Sequence, residues 1–450
     1  VMAAGIFSSC SNQKDGPWEK VYNEKDLSQW GVRGGDANYQ VKDGMIIGQT
    51  SVNTPTSFLC TQKHYDDFIL ELEFKVDSGF NSGVQFRSNS MEAYRDGRVH
   101  GYQVEIDPTD RCWSGGIWDS GRRGWLYDLS DNKEARDAFN HGAWNKYRIE
   151  AIGDTIQTWV NGVPAANLTD NMTPEGFIAL QVHGIGKDEK KENLRIKWKN
   201  LRIMTDSTAL RMHDKAMDIP AKQYLYNYLT EEEKQEGWRL LFDGRSHEGW
   251  RGANMDHFPD GWIVHNAALT LLESDDQESG GRDILTKDAY SAFDLRLDFR
   301  ITKGGNSGIK YYVTEELSSR EGLGFGLEYQ ILDDKRHPGA KKGSDHTTAA
   351  LYDMIAPDKE RKKMKEAGNW NHARIVSRGK HVEHWLNGSK VLEYERGSQR
   401  FRELLKQSIF SEPRYQGGDV PLGEAEEGHI ILQDHNNRVS FRNIKVKELE

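Results

Sequence analysis

Three short segments set polar side chains two residues apart, the spacing that projects them from one face of a β-strand. Gln103, Glu105 and Asp107 alternate with Tyr102, Val104 and Ile106, Gln85 is followed by Arg87, and Gln181 by His183. Amide, carboxylate, guanidinium and imidazole together can donate to and accept from hydroxyl groups, and the carboxylate or imidazole can also move a proton. A plain surface strand alternates in the same way, but it is usually richer in Lys and Thr than these segments are. If the three strands are neighbours, their polar faces form a groove for a polyhydroxylated ligand. A second series follows in the same order: Lys310 with Tyr312, Glu328 with Gln330, and Gln433 with His435. Glutamate and glutamine have exchanged places there, which moves the carboxylate about 7 Å along a strand. The two sets are therefore expected to differ in ligand or in role.

The elements that must position these residues occur twice. Phe68-Ile-Leu-Glu-Leu-Glu-Phe-Lys-Val-Asp-Ser-Gly-Phe-Asn-Ser-Gly83 and Phe293-Asp-Leu-Arg-Leu-Asp-Phe-Arg-Ile-Thr-Lys-Gly-Gly-Asn-Ser-Gly308 are one strand, turn and strand start, written twice with strict apolar alternation. Trp18 and Trp30 answer Trp238 and Trp250, and Trp144-Asn145, Trp159 and Asn161-Gly162 recur as Trp370-Asn371, Trp385 and Asn387-Gly388. Ile178-Ala-Leu-Gln-Val-His183 matches Ile430-Ile-Leu-Gln-Asp-His435 at a larger offset, so the second copy carries an insertion over about 397–427. A unit of this size is a domain and not a solenoid repeat. The expected organisation is a tether over 1–16, a first domain over 17–205, a linker over 206–236 and a second domain over 237–450. In the linker, Thr230 and Glu233 have the spacing of a helix capping box. The Asn-Gly pairs are read as tight hairpin turns, and the Asn-Ser-Gly turns as structural with the Asn able to face a ligand.

Composition removes several classes of function. The net charge is −10 and the basic residues are dispersed, which excludes an electrostatic footprint for nucleic acid. No run reaches the roughly 18 apolar residues of a membrane-spanning helix. Phosphate-cradling loops, nucleophile elbows and zinc signatures are all missing from the sequence. Phe7-Ser-Ser-Cys10 resembles a bacterial lipobox at the end of an apolar signal segment. It implies acylation of Cys10, a lipid anchor as the one membrane attachment, and a cell-envelope location, periplasmic or outer-membrane. Cys60 and Cys112 do not by themselves define a disulfide. The 13 tryptophans suit stacking on sugar faces, and equally suit large sandwich cores. A divalent ion held by carboxylate, amide and His is compatible with the residues, without a diagnostic spacing.

The ordered set Asn306-Ser-Gly308, Glu328-Tyr-Gln-Ile-Leu-Asp333, Ala350-Leu-Tyr-Asp353, Trp370-Asn371, Asn387-Gly388, Leu432-Gln-Asp-His435 and Phe441-Arg-Asn-Ile444 resembles the 3-keto-disaccharide hydrolase domain family. The first domain resembles a divergent branch, through Gly101-Tyr-Gln-Val-Glu-Ile-Asp107, Arg122-Arg-Gly-Trp-Leu-Tyr127 and Phe177-Ile-Ala-Leu-Gln-Val-His183, with Val182 where the family pattern has Asp. The resemblance implies an all-β fold, two tandem concanavalin-like jelly-roll β-sandwiches joined by a partly helical linker. It also implies cleavage of glycosides oxidised to a ketone at C3, in bacterial glycan breakdown, by proton abstraction at C2 followed by elimination and hydration. That chemistry needs a base, an electrophile at the enolate oxygen and an acid for the leaving group. The candidate bases or acids are Glu105 and His183 in the first domain and Glu328 and His435 in the second, with Arg87 and Lys310, or a bound metal ion, facing the oxyanion. Gln85, Gln103, Asp107, Tyr127, Trp144, Gln181, Gln330, Tyr352, Trp370 and Gln433 are the expected substrate-binding residues. Asp434 is the candidate orienter of His435 or, with His435, a metal ligand, although strand alternation points the two side chains apart. A carbohydrate-binding protein without turnover, or one catalytic and one binding domain, are the competing readings.

Overall fold

In the strand Phe68–Val76 the alternate residues Phe68, Leu70, Leu72, Phe74 and Val76 are each at most 2% exposed, and Phe293, Leu295, Leu297, Phe299 and Ile301 of Phe293–Ile301 match them. Burying a side chain of this size stabilises by about 1.5–3 kcal/mol, so each of these strands sits inside a sheet and not at its edge. The computed structural model describes residues 16–213, 217–274, 282–315, 321–415 and 421–450. Two compact units divide the chain, 1–225 and 226–450, and each is a sandwich of a large and a small sheet, as expected of an all-β tandem. Cys10 lies outside the described residues; Cys60 and Cys112 are buried free thiols. No helix among the described residues is long and apolar enough to cross a membrane.

In the first unit the small sheet runs Gly124–Tyr127, Ile117–Ser120, His100–Ile106, Ser82–Asn89, Gly176–Val182, Ser57–Tyr65, Trp30–Gly34. In the second it runs Trp250–Gly252, Ile284–Thr286, His429–Leu432, Asn306–Val313, Leu327–Leu332. The three strands that carry the polar pairs are therefore direct neighbours in both units. Register then explains the exchange of Glu and Gln. Gln85 lies opposite Gln103 and Gly83 opposite Glu105, whereas Lys310 lies opposite Glu328 and Gly308 opposite Gln330.

Within the strands Ser82–Asn89 and Asn306–Val313 the alternation breaks at matching positions. Arg87 and Tyr312 have left-handed backbone, φ 42° and 53°, where the ladder slips by a β-bulge. The bulge turns Arg87 away from Gln85, so Arg87 does not join the polar face, contrary to expectation. Its guanidinium instead donates to the carbonyls of Asp66, Ala151 and Gly153 and to the Asp67 carboxylate, at 2.8–3.2 Å, which ties the small sheet to the large one. Tyr312 makes the equivalent tie, to the Ser291 carbonyl and to Ser377 Oγ. Arg396 completes it: its guanidinium lies 3.5 Å from the centre of the Tyr312 ring and donates to the Gly379 carbonyl, the counterpart of Gly153.

Arg396 also donates to the carbonyls of Gly423 and Ala425, so it pins the far end of the second unit's insertion. That insertion contains the helix Gln399–Gln407, capped by Ser398, and it packs Phe410 against Tyr352. In the 206–236 segment, Lys222–Tyr224 adds a parallel edge strand to Val163–Asp170 of the first unit's large sheet. The Thr230–Glu233 capping box forms at the helix Glu231–Gln235.

Arg87→Met keeps most of the bulk but strands four acceptors, three of them backbone carbonyls. The expected loss is about 2–4 kcal/mol of stability in denaturant melts, with ligand affinity per folded molecule unchanged. A stability unaltered by the substitution would remove the tie from the structure's essentials.

Candidate functional site

The outer face of the first unit's small sheet carries a cleft of about 660 Å³ whose lining includes Gln103, Glu105, Gln181, His183, Asn81, Trp118 and Trp125. Its floor is one directional network. Gln85 and Gln181 each donate an amide N–H to the Gln103 carbonyl oxygen at 3.0 Å, and Gln103 donates to Glu105 Oε2 at 2.6 Å. The Asn81 amide donates to the other Glu105 oxygen, so the Asn of the Asn-Ser-Gly turn does face the site. Ser82 of the same turn donates to the Gln181 carbonyl at 2.7 Å, locking the neighbouring strand. Gly83 is required by close approach: a Cβ there would stand 2.5 Å from the Gln103 amide carbon. Burial raises Glu105 from 4.5 to about 7, against the lowering effect of its two amide donors.

The second unit repeats the frame and changes the charges. Ser307 donates to the Gln433 carbonyl at 2.8 Å, and a Cβ on Gly308 would stand 2.5 Å from Glu328 Oε1. Burial raises Glu328 to about 7, opposed by the Lys310 cation across the ladder and reinforced by Asp283. Lys310 is held by Asp283 Oδ2 at 2.7 Å and the Gly324 carbonyl at 2.8 Å, which leaves one of its three N–H donors for a ligand. The Gln433 amide donates to Glu328 Oε2 at 3.3 Å. Gln330 is buried, its amide oxygen accepting from the Ile331 N–H. His435 keeps an accessible ring, yet desolvation by the protein packed around it lowers its basicity, with Lys310 adding to the effect. Gln181 Oε1 and Gln433 Oε1, at matching positions, are buried acceptors without a partner, and each suits the hydroxyl of a ligand.

Several expected residues lie elsewhere. Asp107 is turned into its own loop, accepting from Thr109, Arg111 and Trp113; it reaches the cleft only through Arg111, which stacks over Trp113 and Trp125 at 4.4 and 5.4 Å. The strand ends at Ile106, so alternation no longer governs residue 107. Tyr127 donates to the Pro220 carbonyl, under the edge strand added by the linker. Trp144 and Trp370 belong to the large sheets. Lys199 covers Trp144, and Arg300 and Arg442 cover Trp370, because both tryptophans open strands of that layer. Asp434 is taken by Arg282 Nε at 2.8 Å and by the Asn436 N–H, which spends its oxygens away from His435 and removes the expected metal pair. His183 does reach the cleft, at its exposed rim. Tyr352 pairs across the ladder edge with Glu328, its N–H donating to the Glu328 carbonyl at 3.1 Å.

Sequence reasoning missed Trp118, Trp125, Arg98 and Arg111 in the cleft of the first unit and Asp283 beside Lys310 in the second. Trp118 had a signal, since it alternates with the core residue Ile117, and Trp125 lies within a motif already singled out. Nothing local marked Arg98 or Asp283.

Two buried acids held near 7 make stability depend on pH. Each is raised above its unfolded value of 4.5, so the native state binds the proton more tightly; the contribution of these two groups is greatest at low pH and declines as pH rises from about 4.5 through about 7. Glu105→Gln and Glu328→Gln remove the charge that must be buried. Relative to the parent, each should gain on the order of 2–3 kcal/mol between pH 5 and pH 8 in denaturant melts. An equal difference at both pH values would refute the burial effect.

Comparison with known proteins gives a consistent set of relatives. A family model described as the 3-keto-alpha-glucoside-1,2-lyase-like domain matches residues 17–204 and again 237–447. A 3-keto-disaccharide hydrolase of Bacteroides thetaiotaomicron is 34% identical over 233 residues, 48% of this chain and 79% of that protein. Two crystal structures from Parabacteroides distasonis that carry the name of a glycosyl hydrolase are also similar. One is 31% identical with a TM-score of 0.44, covering 50% of this chain and 100% of its own; the other is 27% identical with a TM-score of 0.35, covering 47% and 99%.

Proposed function

The chain belongs to the 3-keto-alpha-glucoside-1,2-lyase-like family in both units, and on that premise we propose that it cleaves glycosides bearing a ketone at C3. One observation carries the reading: each polar face holds a buried carboxyl raised to about 7, a base matched to proton abstraction near neutral pH. In the proposed reaction the base takes the proton at C2, and the C–H electrons pass into an enolate on the C3 oxygen. Collapse of the enolate restores the ketone, forms the C1–C2 double bond and expels the C1 oxygen, which is protonated as it leaves. Water then adds, hydroxyl to C1 and proton to C2, so the sum is hydrolysis. This route does not depend on the spaced carboxylate pair of ordinary glycosidases.

Glu105 and Glu328 are the proposed bases. His183 and His435, exposed at the edge of each face, are the proposed groups that exchange the leaving-group proton with solvent. The unpartnered oxygens of Gln181 and Gln433 accept sugar hydroxyls. The aromatic wall of the first cleft, with Trp118 and Trp125 5.4 Å apart at 76°, favours a second reading for that unit: sugar binding, with turnover in the second. Acylation at Cys10 would place the protein at the bacterial cell envelope.

The test is release of aglycone from a 3-keto-glucoside and from its unoxidised parent by the full chain. Release from the keto form alone is expected, with kcat/KM rising through about pH 7 as the base loses its proton. If only the second unit acts, Glu328→Gln should lower kcat by about 10²–10⁴-fold and Glu105→Gln should raise only KM; if both act, each single variant should keep roughly half of the parent's turnover and the double variant lose about 10²–10⁴-fold. Cleavage of the unoxidised parent, or full activity in both variants, would overturn the proposal.

A further inference from the structure

The Leu-Tyr-Asp motif of the second unit is used by none of the steps above, and it builds a separate cluster. The bridge between Tyr329 and Leu351 sets 349–352 along the edge of the small sheet, so that Tyr352 follows Glu328 on the polar face and Asp353 follows at the corner. One donor atom each from Asp345, His346 and Asp353 lie within 4.8 Å of one another, the span of two ligands on opposite sides of a single divalent ion. His346 Nε2 is 3.0 Å from Asp353 Oδ1, and the Tyr352 ring packs edge-on against His346 at 4.9 Å. The insertion fixes the third member, since the Ile409 N–H donates to Asp353 Oδ2 at 2.6 Å.

Two contrasts separate this cluster from incidental acidity. The group His381, Glu383 and Glu393 also brings three donors together, but Lys390 sits among them, 3.1 Å from Glu383 and 2.6 Å from Glu393, and supplies the cation itself. Among the described residues Asp345 and Asp353 pair with no lysine or arginine, and the His346 imidazole pairs with Asp353 alone. In the first unit the segment that pairs in the same way is Gly115-Gly-Ile-Trp-Asp119, since Gly115 and Gly116 bond to Glu105 as Ala349 and Ala350 bond to Gln330. Its Asp119, the counterpart of Asp353, is held by Arg122 and Arg123. Only the copy with the insertion has assembled the donors.

We propose that Asp345, His346 and Asp353 bind a divalent transition ion, of the Mn²⁺ or Zn²⁺ class, beside the polar face of the second unit. Two carboxylates favour a hard ion, and the imidazole nitrogen favours a transition metal over Ca²⁺. Resting on the reading above, the ion takes the C3 carbonyl oxygen of the ligand and holds the negative charge of the enolate, beside the one Lys310 N–H donor not spent on Asp283 and Gly324.

Calorimetry on the chelator-treated full chain decides the site without reference to turnover, with Mn²⁺, Zn²⁺ and Ca²⁺ as probes. One equivalent of Mn²⁺ or Zn²⁺ is expected to bind at least 10-fold more tightly than Ca²⁺. Asp345→Asn and His346→Gln should each weaken it at least 10-fold, while His381→Gln leaves it unchanged. Melting curves of the variants establish that they fold. No binding by the parent chain, or equal binding by the parent and both folded variants, overturns the site. Keto-glucoside turnover then reads the role: a 100-fold loss on chelation, restored by the ion, supports it, and turnover indifferent to chelation overturns it. A parent chain that binds the ion but never cleaves the keto-glucoside would refute the proposed reaction while leaving the metal site standing.

Discussion

At Arg87 and at Tyr312 the backbone turns left-handed in the middle of an otherwise regular strand, and the side chain crosses to the opposite sheet. Left-handed backbone at a bulky residue costs of order 1–3 kcal/mol and persists only where its surroundings over-determine it. Here the surroundings are backbone carbonyls at the ends of large-sheet strands, which the crossing side chain satisfies in both units. This tie sets how the small sheet lies on the large one, and so where the strands bearing Gln103, Glu105 and Gln181, or Glu328 and Gln433, present their outer faces. The polar face of either unit thus sits on a sheet tied to its partner at this bulge as well as through the apolar core.

On that sheet the design problem is a buried carboxyl. Leaving it bare would cost far more than the fold gains from any single contact, and pairing it with an arginine would drive its pKa down and disarm it as a base. Both units take an intermediate course. Glu105 is met by amides, which satisfy its oxygens without supplying a full charge. Glu328 faces a lysine whose charge is already largely answered by Asp283. Two different sets of neighbours therefore arrive at the same acidity, and the duplication conserved the property while replacing the residues that produce it.

What the sequence disclosed follows the same physics. Burial alternates with period two along a strand, so the repeats, the cores and the polar pairs at 103 with 105, 181 with 183 and 328 with 330 were legible. A bulge adds one residue and inverts every later assignment within the strand, and nothing in Gln85-Phe86-Arg87 announces it. Trp144 and Trp370 repeat faithfully, but periodicity does not say which of two sheets a strand joins. Asp107 lies just past a strand end, where alternation stops applying. Asp434 was foreseen to point away from His435, and Arg282, distant in sequence, is the reason its carboxylate is not free.

Arg396 gives the second unit a different kind of dependence. In the first unit the crossing guanidinium belongs to the bulge itself; in the second that work is divided between Tyr312 and an arginine at the root of the insertion, whose other donors are spent on Gly423 and Ala425. The insertion is thus no appendage that could be trimmed back to the ancestral loop. Cutting it away would unseat the cation that rests on Tyr312, and transplanting it into the first unit would bring two guanidinium groups to one set of carbonyls. Each sandwich is therefore the wrong host for the other's parts.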